Sequence, residues 1–311
     1  MNEQRVESRR AEPQPGAPGF ISRSIQQQIA WRDGDIVISV PLKSGTTWMM
    51  NIVHQLRVGG DPDFVDIYAE VPWLELVPRP DARPEDLVAG FNNMRRDRRR
   101  AFKTHAGPDV LPVQIPGVGP DVRYVVVVRN PDEAVASIRP FLEAQSDAWL
   151  DLWQISREAF VGPSDFETWL RERAPSLVAG IFGFVAAWWP LRHASNVMLL
   201  HFADLKRDHE GSVRRVADFL GFEPTAAQWP VVLECTSFRW MKVHEEKFEV
   251  RTVCAVPMLN SGAMIRKGKV GASAEDGITG ATSKMIADIG RQVLDDERAF
   301  DWCYQGGAVP A

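Results

Sequence analysis

Short apolar segments alternate along the chain with longer stretches in which apolar residues recur at helical spacing. Buried strands are predicted at 36–40, 101–104, 123–128 and 197–201. The third of them, RYVVVV, is a β-branched run without polar alternation, as expected for a strand covered on both faces. Helices are predicted at 47–56, 131–143, 212–220 and 283–299. This alternation indicates an α/β fold with a central parallel sheet flanked by helices.

A single domain is expected over 20–311, because no linker divides the chain. The polar segment 1–19 is expected to be a disordered lead-in, and it lacks the apolar core of a secretory signal. The most apolar stretch, 177–191, has 15 residues and contains two glycines and a proline. A membrane span needs about 20 residues, so a buried helix is predicted there instead. The irregular stretch 251–280 is typical of a lid over a functional site.

Charge and cysteine usage narrow the class of protein. The 311 residues carry a net charge of −5, which gives no indication of nucleic-acid binding, so an anion site must come from local basic clusters. The basic segment 94–100 is expected to be an exposed connector, with steering of an anionic cofactor as a second role. Three cysteines fit free thiols in a reducing compartment, which predicts a cytoplasmic protein. The six histidines show no metal-binding spacing, so no metal is expected.

The loop after the first strand has the character of a phosphate site. It delivers Lys43-Ser44-Gly45-Thr46-Thr47 to the start of a helix. Backbone N–H groups, the helix dipole and a lysine can converge on one phosphate there, as in a P-loop-like nucleotide-binding core. A Walker A loop places glycines before its lysine, whereas here Gly45 follows Lys43. The pattern therefore favours an enzyme that handles a phosphorylated nucleotide by chemistry other than ordinary triphosphate hydrolysis.

A lysine and a histidine follow the second strand, as Lys103-Thr104-His105. Residues two apart on an extended chain project to the same face, so both side chains can reach one reacting centre. A histidine can take a proton from an attacking hydroxyl near pH 7, and a lysine can stabilise a developing negative charge. The alternative is a structural histidine at a strand end.

Three further features could contribute to a nucleotide site. Arg129 leaves the third strand, with Ser137 eight residues beyond it, and the alternative for the arginine is an ion pair with Asp132 or Glu133. The segment 266–269, RKGK, could clamp a phosphate or form a solvated loop. Aromatic residues that could enclose a purine, or simply belong to the core, are Trp48, Phe202 and Phe238.

Taken in order, these motifs resemble those of the cytosolic-type sulfotransferases, over roughly 32–271. That family transfers a sulfuryl group from 3′-phosphoadenosine-5′-phosphosulfate (PAPS) to a hydroxyl or amine, leaving 3′-phosphoadenosine 5′-phosphate (PAP). Its P-K-S-G-T-T-W loop matches residues 43–48, with the proline displaced by one position to Pro41. The resemblance implies that Lys43, Thr46 and Thr47 hold the 5′-phosphosulfate and that Trp48 lies against adenine.

The other family motifs assign the remaining residues. K-T-H implies that His105 is the general base, with Lys103 at the transferred group. R-[x]7-S implies that Arg129 and Ser137 bind the 3′-phosphate, over which an R-K-G segment closes. Its counterparts here are Arg266, Lys267 and Gly268. The T-S-F segment beside adenine matches Thr236, Ser237 and Phe238, and Phe202 stands where many members have tyrosine.

The sequence departs from the family after R-K-G. The family's G-D-W is replaced by residues 271–273, GAS, and the dimerisation motif that follows is not recognisable, so the oligomeric state stays open. Residues 71–75, VPWLE, resemble a stretch that lines the acceptor pocket in the family. Aromatic residues expected to form an apolar acceptor wall are Trp73, Phe141 and Phe248, with Trp149 and Trp153 as further candidates. Such a wall suits a phenol, a sterol or a lipid-like alcohol.

Two competing interpretations remain. A P-loop nucleotide kinase would need the Gly-Lys order and an acidic magnesium ligand at a strand end, and neither is found near Lys43. A non-catalytic nucleotide-binding module would keep the phosphate loop but would need neither Lys103 nor His105.

Overall fold

Four parallel strands form one sheet at the centre of the protein. The structure is a computed structural model that describes residues 18–311, so nearly all of the predicted lead-in lies outside the described residues. The strands are β1 (Ile36–Ser39), β2 (Ala101–Thr104), β3 (Arg123–Val128) and β4 (Val197–His201), in the order β2-β1-β3-β4. This arrangement confirms the predicted single α/β domain with a parallel sheet, and only β1 ends one residue earlier than expected.

Helices cover both faces of the sheet. In the described part of the chain they are α1 (Thr46–Val58), α2 (Ile67–Glu70), α3 (Pro84–Asn92), α4 (Pro131–Glu143), α5 (Asp147–Leu152), α6 (Arg157–Val161), α7 (Phe166–Glu172), α8 (Ala174–Trp188), α9 (Phe202–Arg207), α10 (His209–Leu220), α11 (Gln228–Cys235), α12 (Phe238–Val243), α13 (Gly280–Val293) and α14 (Glu297–Gln305). The predicted helices at 47–56, 131–143 and 212–220 correspond to α1, α4 and α10.

The continuous apolar run of β3 supplies two separate cores. Val125 and Val127 face a layer built from α1, α10 and α11. Tyr124, Val126 and Val128 face the opposite layer, built from α4, α8, α13 and α14. Because successive side chains of a strand point to opposite faces, a strand buried on both sides has no polar position to alternate with.

The most apolar helix belongs to the second of these layers. Its buried residues include Val178, Phe182, Val185 and Trp188, as expected for the predicted buried helix. By length and composition alone, Ala174–Leu191 is also the one segment in the described 18–311 that could cross a membrane, and 44% of it is buried inside the protein.

The predicted C-terminal helix at 283–299 is two helices instead of one. The chain leaves α13 at Leu294, which is extended, and Asp296 begins α14 by accepting hydrogen bonds from the backbone N–H groups of Arg298 (2.8 Å) and Ala299 (3.4 Å). A side-chain cap of this kind favours a helix start, which the apolar periodicity alone does not reveal.

The basic segment 94–100 is not simply an exposed connector, so that expectation was wrong in part. Arg100 is buried and forms a two-pronged ion pair with Asp35, just before β1. Arg99 donates to the backbone carbonyls of Gly34 and Leu220. These two arginines tie the entrances of β1 and β2 together, at the end of the sheet opposite its carboxyl edge.

We expect Asp35→Ala to destabilise the fold strongly, because it leaves the Arg100 guanidinium buried without its counter-charge. Loss of one partner of a buried ion pair costs about 3–5 kcal/mol. Urea denaturation followed by circular dichroism measures this loss. The matched control is Asp97→Ala, which removes the exposed partner of Arg95 and should leave the urea midpoint unchanged. Equal midpoints for the two variants would contradict the structural role of Arg100.

Candidate functional site

A cavity of about 320 Å³ opens at the carboxyl edge of the sheet. The segments that follow all four strands reach it, through Lys43 after β1, His105 after β2, Arg129 after β3 and Phe202 after β4. In the sheet, β2 lies on one side of β1, and β3, the next strand in the chain, lies on the other side. The crevice between β1 and β3 is therefore the switch point of the topology. Ligands of open parallel sheets bind at such a point.

The loop after β1 has a backbone shape that suits an anion. Lys43 has a φ of 62° and Gly45 has a φ of 101°. A Cβ added at Gly45 would lie 2.8 Å from Cδ2 of Phe202, so a side chain there would be both strained and obstructed. No side chain caps the start of α1, whose first-turn N–H groups remain available to a ligand.

Lys43 carries its charge into a buried position. Its Nζ atom lies 4.1 Å from the centroid of the Phe141 ring. Burial lowers the pKa of Lys43 to about 7, and the nearby positive charges of Arg129 and Arg266 act in the same direction. A bound anion would relieve both effects, so the ammonium form is the form suited to a phosphate.

His105 is fixed in the orientation of a base. Its Nδ1 lies 2.6 Å from the carbonyl oxygen of Val40, and because a carbonyl only accepts, Nδ1 carries the proton. Nε2 is therefore the nitrogen that carries the lone pair, and it accepts a hydrogen bond from Nζ of Lys103 at 3.1 Å. Burial, aided by the charge of Lys103, lowers the pKa of His105 well below its usual value, so the imidazole is neutral at pH 7.

Lys103 lies between the histidine and an aromatic wall. Its Nζ is 3.6 Å from the centroid of the Trp73 ring. Burial lowers the pKa of Lys103 to about 7, whereas the carboxylate of Glu75 opposes this shift and the charge of Lys43 adds to it. Both lysines lie in this site. Neither Lys103 nor Lys43 has a carboxylate within 4.0 Å among the described residues 18–311.

Arg129 forms the alternative ion pair with Glu133 and also takes part in the cavity. Its Nε donates to Glu133 at 2.9 Å, which is the structural alternative. Its other nitrogens donate to the backbone carbonyls of Lys43 and Lys269, both at 3.2 Å, so it joins the loop after β1 to the irregular C-terminal segment. Ser137, one turn beyond Glu133 on α4, also lines the cavity.

The predicted aromatic group assembles beside α1. Trp48 donates from Nε1 to the carbonyl of Thr236 at 2.8 Å and meets Phe202 edge to face, with ring centroids 5.6 Å apart. Lys206, absent from the prediction, places its ammonium over the rings of both Trp48 (5.8 Å) and Phe238 (5.1 Å). These rings and this cation line one end of the cavity.

The segment 266–269 forms part of the wall of the cavity. Arg266 and Lys267 both contact the carboxylate of Asp276, at 2.8 Å and 2.5 Å. Gly268 has a φ of 57°, and a Cβ there would collide with the ring of Phe238. The glycine therefore lets the backbone approach the aromatic group that closes the same end of the site.

Some predicted residues do not line the cavity. Phe248 is fully buried against Phe64 and Trp240, so the expectation that it forms the acceptor wall was wrong. Trp149 and Trp153 likewise belong to a core group around Phe20. Ser44 and Thr236, which were also predicted, are buried and do not line the cavity, although their backbones adjoin residues that do. Trp73 and Phe141 do line the cavity.

Sequence reasoning also missed part of the wall. Tyr68 on α2 lines the cavity, and burial raises the pKa of its phenol. Three methionines share that wall with it, namely Met241, Met258 and Met264. Lone methionines and a tyrosine in a short helix carry no spacing signal, so only the folded chain brings them together. Flexible thioethers suit a wall that adapts to an apolar ligand.

The charges around the cavity select an anion. Its lining includes seven lysines and arginines and two carboxylates, Glu133 and Asp276, in a chain whose net charge is −5. Together with the uncapped start of α1, this set fits the two phosphates of PAPS, and the aromatic group around Trp48 fits its adenine. In the described residues, no group of three His, Cys, Asp or Glu side chains is arranged to hold a metal ion.

Comparison with known proteins assigns the family. Residues 33–297 match the model of the sulfotransferase domain. The chain therefore belongs to the sulfotransferase family, and the predicted PAPS-dependent sulfotransferase class and its donor are confirmed.

Relatives and solved structures agree with this assignment. Sulfotransferase 1E1 of Mus musculus is 26% identical over 217 residues, which cover 68% of this chain and 67% of that protein. A glycolipid sulfotransferase of Mycobacterium bovis is 30% identical over 227 residues, covering 62% of this chain and 65% of its own. Mouse sulfotransferase SULT7A1, solved with PAP, shares the fold with a TM-score of 0.66 at 19% identity, covering 91% of this chain and 92% of its own.

We expect PAP binding at pH 8 to take up protons. A lysine whose pKa lies at about 7 is mostly neutral at pH 8, and a bound phosphate raises that pKa and restores the ammonium. Uptake should be about one to two protons per PAP at pH 8 and should fall toward zero at pH 6.

Calorimetry in buffers of different ionisation enthalpy measures this uptake. Lys103→Met should reduce it, whereas the control Lys284→Met, at an exposed ion pair with Asp288, should not. Uptake that stays at zero at pH 8 would show that the two lysines are already charged in the free protein.

Proposed function

We propose that this sulfotransferase moves a sulfuryl group from PAPS to the hydroxyl of a small apolar acceptor, with His105 as the general base. The observation that carries the proposal is the grouping of His105 with Lys103 and Lys43 beside the aromatic side chains of the cavity. A neutral imidazole with its lone pair on Nε2 is the form that can accept a proton. Binding of a nucleotide alone requires no such group.

The cationic and aromatic residues of the cavity bind the donor. We assign the 5′-phosphate end to Lys43 and the first-turn N–H groups at Thr46 and Thr47, because the loop is open and uncapped there. We assign the 3′-phosphate to Arg129, Ser137 and the segment 266–268. Adenine would lie among Trp48, Phe202 and Phe238. Arg266 and Lys267 would then exchange the carboxylate of Asp276 for a phosphate.

The chemical roles follow from the same distances. PAPS supplies the sulfuryl group and a phosphate leaving group. His105 takes the proton of the acceptor hydroxyl at Nε2, while Nδ1 stays bonded to the Val40 carbonyl. Lys43 faces the negative charge that develops on the departing phosphate, and Lys103 faces the equatorial oxygens of the group in transfer. Transfer of this kind has a loose, in-line transition state, so positioned positive charge provides most of the stabilisation.

The acceptor is proposed to be a neutral apolar alcohol or phenol. The ring of Trp73 lies 5.2 Å from that of His105, and Phe141, Tyr68 and three methionines line the same cavity. The two carboxylates that line the cavity lie instead with Arg129 and with Arg266 and Lys267. A cationic amine would therefore meet lysines rather than an acid, which favours hydroxyl acceptors. Relatives bear names such as glycolipid sulfotransferase, and a retinol dehydratase of the same fold was solved with androsterone and PAP (TM-score 0.61, 19% identity, covering 89% of this chain and 87% of its own).

A cytoplasmic location is proposed on the state of the cysteines. Cys235, Cys254 and Cys303 are all buried and unpaired, and burial raises the pKa of each thiol. Free thiols fit a reducing compartment. The family's dimerisation motif is not recognisable in the sequence, and the oligomeric state is left open.

A radiolabelled assay tests the proposed function directly. Sulfur from labelled PAPS should appear in a phenol, steroid or glycolipid acceptor, with activity unchanged by EDTA. A nucleotide kinase would instead transfer phosphate from ATP and lose activity in EDTA, and a binding module would be stabilised by PAP without turning over. Either of those results would overturn the proposal.

We expect His105→Ala and Arg129→Ala to separate catalysis from donor binding. Loss of a general base lowers turnover by about 10²–10⁴-fold, while PAP affinity should stay nearly constant. Loss of the Arg129 guanidinium should weaken PAP binding about ten- to hundredfold, because charge-assisted hydrogen bonds are lost. Steady-state kinetics and calorimetry measure the two effects.

Thermal unfolding serves as the control for both variants, since Arg129 also joins two loops. Wild-type turnover in His105→Ala would exclude it as the base. Unchanged PAP affinity in Arg129→Ala would exclude the arginine from the donor site.

A further inference from the structure

We propose that Glu75 is a positioning residue for the transfer reaction: one oxygen of its carboxylate fixes the turn that carries His105, and its negative charge supports Lys103. The inference rests on the proposed function of the site. Glu75 does not line the cavity and cannot touch a substrate, so its role is exerted through the residues it holds.

The segment that carries Glu75 extends the sheet edge. Trp73 pairs with Lys103 of β2 as an isolated parallel bridge. The backbone N–H of Lys103 donates to Pro72 at 2.9 Å, and that of Leu74 donates to Lys103 at 3.0 Å. This register places Glu75 beside the point where β2 ends and the chain turns into the cavity.

One carboxylate oxygen holds that turn. Oε1 of Glu75 accepts from the hydroxyl of Thr104 at 2.5 Å and from the backbone N–H of His105 at 2.8 Å. The Thr104 hydroxyl oxygen in turn accepts from the backbone N–H of Ala106 at 2.9 Å. Three consecutive residues are thereby oriented by a single oxygen and the hydroxyl that it binds. On the other side, the Val40 carbonyl fixes the imidazole ring.

The second oxygen has no hydrogen-bond partner among the residues that the structure describes. Oε2 of Glu75 is buried and accepts no hydrogen bond from the described residues, while the whole residue is 3% exposed. A buried carboxylate without an ion pair is costly, and burial raises the pKa of Glu75. A neutral hydrogen-bond acceptor could hold the turn at His105 equally well. The presence of an acid at this position therefore indicates that its negative charge has a role of its own.

Lys103 is the charged group that acts on this carboxylate. Lys103 acts on Glu75 by its charge, and in return the carboxylate favours the ammonium form of Lys103 against burial and against Lys43. The other titratable groups around Lys103 are His105, at 3.1 Å, and Tyr68, whose ring centroid lies 5.4 Å away. Among the described residues, Glu75 is thus the acid whose charge opposes the effect of burial on Lys103 at the proposed reaction centre.

Two substitutions separate geometry from charge. Glu75→Gln keeps an acceptor oxygen for Thr104 and His105 but removes the charge. We expect kcat to fall about tenfold, the alkaline limb of its pH profile to move to lower pH because Lys103 deprotonates earlier, and PAP affinity to stay within about twofold. Glu75→Ala also removes the acceptor, so kcat should fall about a hundredfold or more.

Controls make the result specific to this carboxylate. Glu249→Gln alters another buried acid, which accepts from the backbone of Gly262, and should leave the pH profile unchanged. Thr104→Val removes the hydroxyl but leaves the charge, so it should lower kcat without moving the alkaline limb, and it replaces the Glu75 variants if they fail to fold. A wild-type profile in Glu75→Gln, or a loss of PAP affinity as large as the loss of kcat, overturns the proposal.

A readout without turnover distinguishes this inference from the proposed function. Nitrogen NMR of the His105 ring should show the Nδ1-protonated tautomer in the wild type and in Glu75→Gln, and a mixture of tautomers in Glu75→Ala. An inactive wild-type protein with this pattern would overturn the proposed function but keep the positioning role. An active one whose tautomer is unchanged in Glu75→Ala would overturn the positioning role alone.

Discussion

Lys43 and Lys103 place two buried ammonium groups in one cavity without a carboxylate at ion-pair distance in the described residues. Burial lowers the pKa of each lysine to about 7, aided by the charges of Arg129 and Arg266 at Lys43 and by the charge of Lys43 at Lys103. A protein interior tolerates such an arrangement when an anion completes it, because the alternative is neutralisation of the lysines. The rest of the site follows from that requirement. The donor must be anionic, and the base beside it must be neutral, as His105 is.

The sheet creates this concentration of charge by topology. Parallel strands bring their carboxyl ends to one edge, and the order β2-β1-β3-β4 opens a crevice between β1 and β3. Arg129 bridges that crevice by donating to the carbonyl of Lys43, so the phosphate loop and the end of β3 hold each other. The opposite edge is closed by the buried pair of Arg100 and Asp35. The end of the sheet with Arg100 and Asp35 therefore stabilises the fold. The carboxyl end carries lysines and arginines whose positive charge the nearby carboxylates only partly neutralise.

The sequence predicts this site unevenly, for physical reasons. Residues next to a strand end, such as Lys43, His105 and Arg129, were predictable because the strand places them at a known edge of the sheet. Phe248 was misplaced because an aromatic residue in an irregular segment can face the core or the cavity, and no periodicity distinguishes the two. Glu75 lies in the stretch 71–75 that was expected to line the acceptor pocket, but its own role depends on a bridge between Trp73 and Lys103 that only the folded chain forms. The fold was predictable to within a residue at each strand, because apolar β-branched runs determine strands on both faces.

A crystal structure of the protein with PAP bound would show whether the two buried lysines belong to a donor site. We expect the 5′-phosphate against Lys43 and the start of α1, and the 3′-phosphate against Arg129, with Arg266 and Lys267 turned from Asp276 toward it. Nε2 of His105 should face the space beyond the 5′-phosphate. A PAP molecule that binds away from Lys43, or that leaves Arg266 and Lys267 paired with Asp276, would contradict it.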